Sequence, residues 1–427
     1  MNSLVILFGK LLSISSRFFN AGSGSTWPGH IALTLNQNFI KQVVNKNNFK
    51  TILIAGTNGK TTTGKLIQTI LEKNNKSVFQ NESGANLLNG IASSMLLRSN
   101  ILGKINKDFA ILEIDENTLP LILKEINNPD FIIILNLFRD QLDRYGEVNT
   151  ISKKWTEALR NLDKRSTLIL NADDPQVAFL GKSNLNALYF GLGSKNKTEM
   201  TQHASDSTYC PNCGEKLIYN SIYFSHLGDW ICKKCNYKHP QKTFTSSQHY
   251  PLSGVYNEYN INAAVLLAQT LGFSKERTTS SLKSFKPAFG RQEILNINGK
   301  KVQIFLSKNP TSFNESLKTI TDLNARNLLI VLNDRIPDGC DVSWIWDVDF
   351  EDFSCSFTNI TLSGDRTYDI GLRLKYAQFD KFEVEANLTR AMDIAFDKTS
   401  KNETLYILPT YSAMLEVRKI LTGKKML

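Results

Sequence analysis

The run Gly56-Thr57-Asn58-Gly59-Lys60-Thr61-Thr62 lies between an apolar stretch, Ile52 to Ala55, and a segment whose Leu66, Ile67, Ile70 and Leu71 recur at helical spacing. A strand, a glycine-cornered loop and a helix in that order make a phosphate site. The glycines let backbone N–H groups turn inward, and the helix N-terminus adds the positive end of its dipole. Lys60 then serves as a point charge for the β- and γ-phosphates of a nucleotide, and Thr61 as a hydroxyl ligand for Mg²⁺. The first glycine of the usual G-x-x-x-x-G-K-[ST] loop would fall at Ile54, so this loop departs from the pattern at that position.

A second chemistry lies in Cys210-Pro211-Asn212-Cys213 and Cys232-Lys233-Lys234-Cys235, separated by 18 residues and followed by the turn formers Gly214 and Asn236. Four thiolates in two knuckles match structural Zn²⁺, tetrahedral and with no open position. Leu217, Ile218, Tyr219, Ile222, Tyr223 and Phe224 between them suit a small β-ribbon, structural or at a protein interface. His203, His226 and His239 are alternative ligands that four cysteines make unnecessary. Six cysteines, four of them used in this way, indicate a reducing compartment rather than a disulfide framework.

Carboxylates supply the third element. Glu113, Asp115 and Glu116 end the apolar run Phe109 to Ile114, and Glu113 is the first choice for a Mg²⁺-linked carboxylate, against the alternative of a solvated acidic turn. Arg139 to Glu147 and Asn171 to Pro175 follow two further apolar runs, Phe131 to Leu137 and Thr167 to Leu170. Taken singly, each is a capping or turn cluster more often than a site.

Continuous apolar strands alternating with helices predict a parallel sheet covered on both faces, with ligands beyond the carboxyl ends of its strands. Val302 to Leu306, Leu328 to Leu332, Ile360 to Leu362 and Thr404 to Leu408, with a helix over Leu388 to Phe396, predict a second, smaller α/β unit. Between them, Asn333 to Glu351 crowds carboxylates and tryptophans into one loop. That is costly unless partnered, the alternative being an acidic turn over core tryptophans.

Met1 to Asn20 reads as an amphipathic helix, Leu4, Leu7, Phe8 and Leu11 on one side and Lys10 and Arg17 on the other, followed by a turn-rich segment, Ala21 to Gly29. No stretch reaches the roughly 18 to 20 apolar residues that span a bilayer. The chain is expected in the cytoplasm, with surface contact at the inner face of the membrane left open. A net charge of +10 over 427 residues permits nucleic acid, an anionic membrane or a polyanionic substrate.

In order along the chain, Gly56 to Thr62, Glu113, Asp140-Gln141-Leu142-Asp143, Asn171 to Asp174, Gly254 to Ala264 and Gly290-Arg291 resemble the Mur ligase superfamily. The resemblance implies a central P-loop ATPase domain and a C-terminal Rossmann-like domain closing over the nucleotide. It implies phosphorylation of a substrate carboxylate by ATP, then amide formation. Carried over, Lys60 and Thr61 serve phosphate and Mg²⁺, Glu113 the metal, Asn257 and Asn260 the nucleotide region, and Arg291 a hinge-side phosphate contact. The expected organisation is a helix and linker over 1–45, an ATPase domain over 46–292 with the zinc ribbon at about 205–242, and an α/β domain over 293–427.

The departures narrow the branch. Gln141 and Tyr256 stand where histidines are usual, Trp155 to Leu159 lacks the lysine that several relatives carbamylate, and Leu306 to Pro310 replaces an aspartate-bearing motif. With the four cysteines, Lys308-Asn309-Pro310, Asp338-Gly339-Cys340-Asp341-Val342-Ser343-Trp344 and Pro409-Thr410-Tyr411, the chain is similar to the MurT family, ligase subunits of lipid II isoglutaminyl synthase. That implies amidation of the D-glutamate α-carboxylate of the lipid II stem peptide, with ammonia from a GatD-type class I glutaminase in a heterodimer. It also implies that an aspartate of this chain completes the partner's Cys-His pair. Asp341 is the position judged to match, with Asp347 and Asp349 behind it, and Cys340 is not expected to be a nucleophile. The alternatives are a Mur or folylpolyglutamate-type ligase adding an amino acid, and a zinc-ribbon nucleic-acid module. No nucleic-acid partner is expected.

Overall fold

The computed structural model describes residues 2–18, 26–81, 84–140, 148–162, 165–182, 186–193 and 205–423. Gln141, Leu142, Asp143 and His203 lie outside the described residues, as does most of Ala21 to Gly29.

The first sheet comprises β1 (Lys50–Ala55), β2 (Val78–Gln80), β3 (Phe109–Glu113), β4 (Phe131–Ile134), β5 (Thr167–Asn171) and β6 (Ala187–Phe190), in the order β2-β3-β1-β4-β5-β6 and parallel throughout. Period-two alternation sends β1 into two cores. Ile52 and Ile54 pack with Leu66, Ile67 and Ile70 of the helix Lys60–Lys73 and with the helix Val255–Thr270. Leu53 and Ala55 pack on the opposite face with Phe39, Ile91 and Trp155. A strand covered on both sides has no place for polar alternation, which is why these runs are continuously apolar. The strand order turns at β1, because the first crossover leads out to β2, the second returns to β3 and the third passes to β4 on the other side of β1. The crevice at its carboxyl end is therefore where an open α/β sheet binds ligands.

A short antiparallel ribbon, β7 (Ile218–Phe224) and β8 (Leu227–Ile231), lies beyond β6. The second sheet contains β9 (Arg291–Ile297), β10 (Lys300–Phe305), β11 (Asn327–Val331), β12 (Asn359–Ser363), β13 (Glu383–Val384) and β14 (Thr404–Pro409), in the order β13-β12-β11-β14-β10-β9. All its pairings are parallel except β9 with β10. Helices again cover both faces, with Leu328 and Ile330 in one core and Leu329 and Val331 in the other. The loop after β11 divides in character. Ile345, Val348 and Phe350 are core residues and Trp344 packs on Phe313, whereas Trp346 is about half exposed at 48%.

The first helix is present over Asn2–Phe18, but Val5, Ile6, Gly9 and Ser13 meet the core, while Leu4, Leu7, Phe8 and Leu11 face solvent. Gly9 decides the packed face: a Cβ there would stand 2.6 Å from Leu96 Cδ1, so the helix seats on its least bulky side. No helix among the described residues is long and apolar enough to cross a membrane.

The ribbon is held to the sheet by a buried carboxylate. Asp173 Oδ1 meets His239 Nε2 at 2.7 Å and Lys242 Nζ at 2.8 Å, and its Oδ2 accepts from Tyr259 Oη at 2.9 Å and Leu192 N at 2.8 Å. Asp174 caps the next helix through Gln176 N and Val177 N and lies 3.5 Å from His226 Nε2. His226 and His239 thus grip aspartates. Removing Asp173 strands a cation and a phenol in the interior, so Asp173→Ala is expected to cost about 3–5 kcal/mol in a urea titration, with Asp173→Asn costing less. A loss under about 0.5 kcal/mol, the size of a surface change, would discount the anchor.

Candidate active site

Gly56 and Gly59 give the phosphate loop its shape, with φ of 135° and 91°. At Gly59 a Cβ would come within 2.0 Å of Asn260 Oδ1, so this corner requires glycine for space as well as for conformation. The loop is tied back to the end of β4: Thr57 Oγ1 accepts from Phe138 N at 3.0 Å, and Asn58 N donates to Asn136 Oδ1 at 2.9 Å. Lys60, 8% exposed, donates to Gly56 O and lies 3.5 Å from Glu116 Oε1.

Thr61 Oγ1 donates to Glu113 Oε2 at 2.7 Å, bringing together the two residues expected to hold Mg²⁺. Glu113 is clamped by a residue the sequence did not single out. Asn81 accepts from its N–H at 2.8 Å and donates to its carbonyl at 2.9 Å. Burial pushes the Glu113 carboxyl above the usual range, against the opposing pull of the Thr61 hydroxyl, Arg291 and Lys60. A hydroxyl and a carboxylate side by side at a helix N-terminus are hard oxygen donors suited to Mg²⁺, and the cost of burying that carboxylate is what a cation would offset.

The cleft also has a charged wall from the second sheet's domain. Lys308 reaches across to buried Asp140, forming a half-buried ion pair 168 residues apart in the chain. Burial raises the Asp140 pKa, with Lys308 opposing it. Burial also works against the Lys308 charge, yet Asp140 and Glu116 hold the ammonium above its usual value. Asn309, next in sequence, caps the helix Pro310–Asp322 and donates to Asn58 Oδ1 at 3.2 Å. Arg291 opens β9, and burial lowers its pKa while Glu113 counters. Asn257 and Asn260 are both 2% exposed and joined at 3.2 Å, on the first turns of Val255–Thr270. Tyr256, beside them, accepts from Gln292 Nε2 at 2.8 Å.

Together Thr57 to Thr62, Glu113, Asn257, Asn260, Arg291 and Lys308 line a cleft of about 420 Å³ between the two sheets, a nucleotide-sized space. Gly56 stands behind the loop. Phe224, at the tip of the cysteine ribbon, and Tyr411 complete the wall. The phosphate loop, the Gly254 to Ala264 run and Gly290-Arg291 each contribute to this cleft from a motif legible in the sequence. Asn81, Phe224 and Lys308 arrive from distant parts of the chain, and the single available signal was the replaced motif at Lys308.

Asp341 is elsewhere. It is exposed on the loop after β11, and its Oδ1 accepts from Ser343 N at 2.8 Å, which holds its carboxyl below the usual range. The other two aspartates are engaged. Asp347 pairs with Arg139 at 3.2 Å, and buried Asp349 exchanges hydrogen bonds with Asn314 at 2.6 and 2.9 Å.

Cys210, Cys213, Cys232 and Cys235 converge so that all four sulfurs lie within 4.8 Å of one another, with contacts of 3.6 Å between Cys210 and Cys235 and 3.5 Å between Cys213 and Cys232. Sulfurs about 2.3 Å from a tetrahedral zinc stand at comparable separations, so the residues fit that ion. Gly214 and Asn236, with φ of 76° and 56°, turn the two knuckles. Metal analysis of the purified chain is expected to find a single zinc, lost in Cys213→Ser with Cys235→Ser. Because Phe224 extends from the same ribbon, that variant should also weaken nucleotide binding by a few-fold. Unchanged metal content would show that the cluster is not a zinc site.

Comparison with known proteins agrees with this geometry. Residues 54–268 match the Mur ligase middle domain and residues 306–414 the MurT ligase C-terminal domain. The chain is 32% identical to the lipid II isoglutaminyl synthase (glutamine-hydrolyzing) subunit MurT of Streptococcus pneumoniae, over 99% of this chain and 98% of that one. It is also 32% identical to the corresponding Staphylococcus aureus subunit, over 84% of each. Among solved structures it resembles a pseudomurein peptide ligase type C from Methanothermus fervidus, with a TM-score of 0.64, 23% identity and coverage of 88% and 79% of the two chains. A Thermotoga maritima MurF ligase in complex with ADP gives a TM-score of 0.62 at 14% identity, covering 91% and 82%. Two sheets closing on a phosphate loop are the Mur ligase fold, and the chain belongs to the MurT family of ligases.

Proposed function

We propose that this chain catalyses ATP-dependent amidation of the D-glutamate α-carboxylate of the lipid II stem peptide, giving D-isoglutamine, with ammonia from a separate GatD-type class I glutaminase. The observation that carries the reading is the near full-length match to the pneumococcal subunit. The cleft supports it physically: Lys60, Thr61 and Glu113 face Arg291 and Lys308 across a nucleotide-sized space.

The chemistry takes two steps. A carboxylate oxygen attacks the γ-phosphorus of ATP, the β–γ bridging P–O bond breaks, and ADP leaves behind an acyl phosphate. Lys60 and Arg291 are placed to neutralise charge on the transferring group, and the loop N–H groups to orient it. Thr61 and Glu113 would hold a Mg²⁺, whose charge would offset the negative charge that builds up during the transfer. Ammonia then attacks the acyl carbon, the C–O bond to phosphate breaks, and the nitrogen gives up a proton. Ammonia needs no pocket for an amino-acid side chain, which fits the replaced motif at Leu306 to Pro310.

Asp341 serves the other centre. An exposed carboxylate held in its charged form is what a partner's imidazole requires to fix its tautomer and stabilise imidazolium while a thiolate attacks the glutamine amide. Nearby Trp346, Leu372 and Tyr376 are 48%, 52% and 67% exposed, with Trp346 and Tyr376 in edge contact at 5.4 Å. Such an aromatic patch suits a protein interface.

Three outcomes follow from this reading. Asp341→Asn should lower glutamine-dependent amidation on the order of 10⁴-fold in the presence of the glutaminase while leaving ammonium-dependent amidation intact. Equal loss with both nitrogen sources would place Asp341 in the wrong role. Lys60→Ala should abolish both. Because burial raises the Glu113 carboxyl, protonation at acid pH removes an anionic metal ligand. Mg-ATP affinity is therefore full above that raised pKa and falls as pH drops through it, whereas Glu113→Gln should be at least about tenfold weaker with a flat pH profile. Calorimetry at several pH values measures this directly, and a sloping profile in Glu113→Gln would assign the titration to another group.

A further inference from the structure

The amino-terminal edge of the first sheet, at the end opposite the nucleotide cleft, carries charge that amidation does not use. A cleft of about 900 Å³ there is lined by Lys46, Lys50, Lys76, Arg98, Lys104 and Lys107. The lining carboxylate is Asp108, and its Oδ2 already accepts from Ser77 N at 2.7 Å and Ser77 Oγ at 2.9 Å. Ser77 first, and then Lys76 and Lys107, hold the Asp108 carboxyl below its usual range. So dense a set of cations repels itself, and the arrangement favours an anionic surface laid against it.

This cleft continues into the first helix through one turn. Asn100 and Lys104 line the cleft, and Asn47 Nδ2 donates to Gly103 O at 3.0 Å. On the other side of the turn, Lys10 of the helix donates to Ser99 O, and a Cβ at Gly103 would lie 3.6 Å from Ile6 Cδ1. The tip of the turn, Ile101 and Leu102, is 56% and 60% exposed. Leu4, Leu7, Phe8 and Leu11 add a stripe along the helix, between 45% and 74% exposed and facing away from Val5, Ile6, Gly9 and Ser13. A helix apolar on its outer as well as its inner face has surface that water does not favour.

We propose that the stripe, the turn tip and the cleft together form a membrane-docking face: the Leu4-Leu7-Phe8-Leu11 stripe and the Ile101-Leu102 tip enter the headgroup boundary of an anionic phospholipid bilayer, and the lysine cleft takes lipid phosphates. A protein could also cover an apolar stripe. What selects a bilayer is that the helix bearing the stripe is joined, through the turn 99–103, to a cleft whose cations outnumber its carboxylate, since apolar insertion beside a basic patch is how peripheral helices hold anionic membranes. The surface stands on its own geometry. The lipid-linked substrate of the proposed function gives it a use, since docking would hold the enzyme in the plane that carries lipid II.

The test is co-sedimentation of the whole chain with vesicles of phosphatidylcholine, alone or mixed with phosphatidylglycerol. Binding is expected to the anionic vesicles, falling as salt rises. Leu7→Gln with Phe8→Gln should weaken it at least about tenfold, and Lys104→Gln with Lys107→Gln should weaken it while removing much of the salt dependence. Both variants should keep the wild-type melting transition and wild-type amidation of a water-soluble stem-peptide substrate. No binding by the folded chain, or binding indifferent to Leu7 and Phe8, overturns the proposal. So does loss of self-association in Leu7→Gln with Phe8→Gln without any vesicle binding, which would make the stripe a contact between copies. Vesicle binding without amidation would keep this inference and sink the proposed function, and the reverse would do the opposite.

Discussion

The ion pair between Lys308 and Asp140 is the contact on which the site depends. Asp140 is buried, whereas the Lys308 side chain stays 33% exposed, and the carboxylate would not keep its charge there alone, because removing an ion from water costs several kcal/mol. Pairing lets both remain charged, and it does so across the gap between the two sheets. Asn309, fixed as a helix cap one residue later, meets Asn58 of the phosphate loop from the same side. The second sheet's domain thereby closes a crevice that the first sheet only begins.

Around that pair, the cleft collects more charge than a folding core would tolerate. Glu113 is buried with Thr61, Lys60 lies against Glu116, and Arg291 enters with its own charge disfavoured by burial. Sites of this kind cost stability and are supported by rigid surroundings. Here the support is identifiable: Asn81 clamps the Glu113 backbone, Asn136 and Phe138 fix the loop, and Asp173 binds the cysteine ribbon that presents Phe224. The four cysteines therefore sit at one end of a mechanical line that ends at the nucleotide cleft.

Much of this was legible in the sequence wherever chemistry is local. The strand, loop and helix around Lys60 follow from a continuous apolar run, two glycines and a helical repeat, and the cysteine knuckles from their spacing and turn formers. Contacts made at long range were not legible. Nothing near Asp140 indicates Lys308, Asn81 looks like any loop asparagine, and Phe224 reads as an ordinary ribbon residue. Which side of the first helix packs was not legible for a different reason. Apolar residues occupy both of its faces, so periodicity could not choose between them, and the choice was made by Gly9 against Leu96.

The central claim is that this cleft activates a carboxylate by phosphoryl transfer before nitrogen arrives. It is tested most directly by isotope transfer, using lipid II labelled with ¹⁸O in the D-glutamate α-carboxylate, ATP and ammonium, and mass analysis of the products. An acyl phosphate requires one labelled oxygen to leave the carboxylate and appear in inorganic phosphate for each amide formed. Amide formed with no label in phosphate, or with label in AMP, would contradict the account.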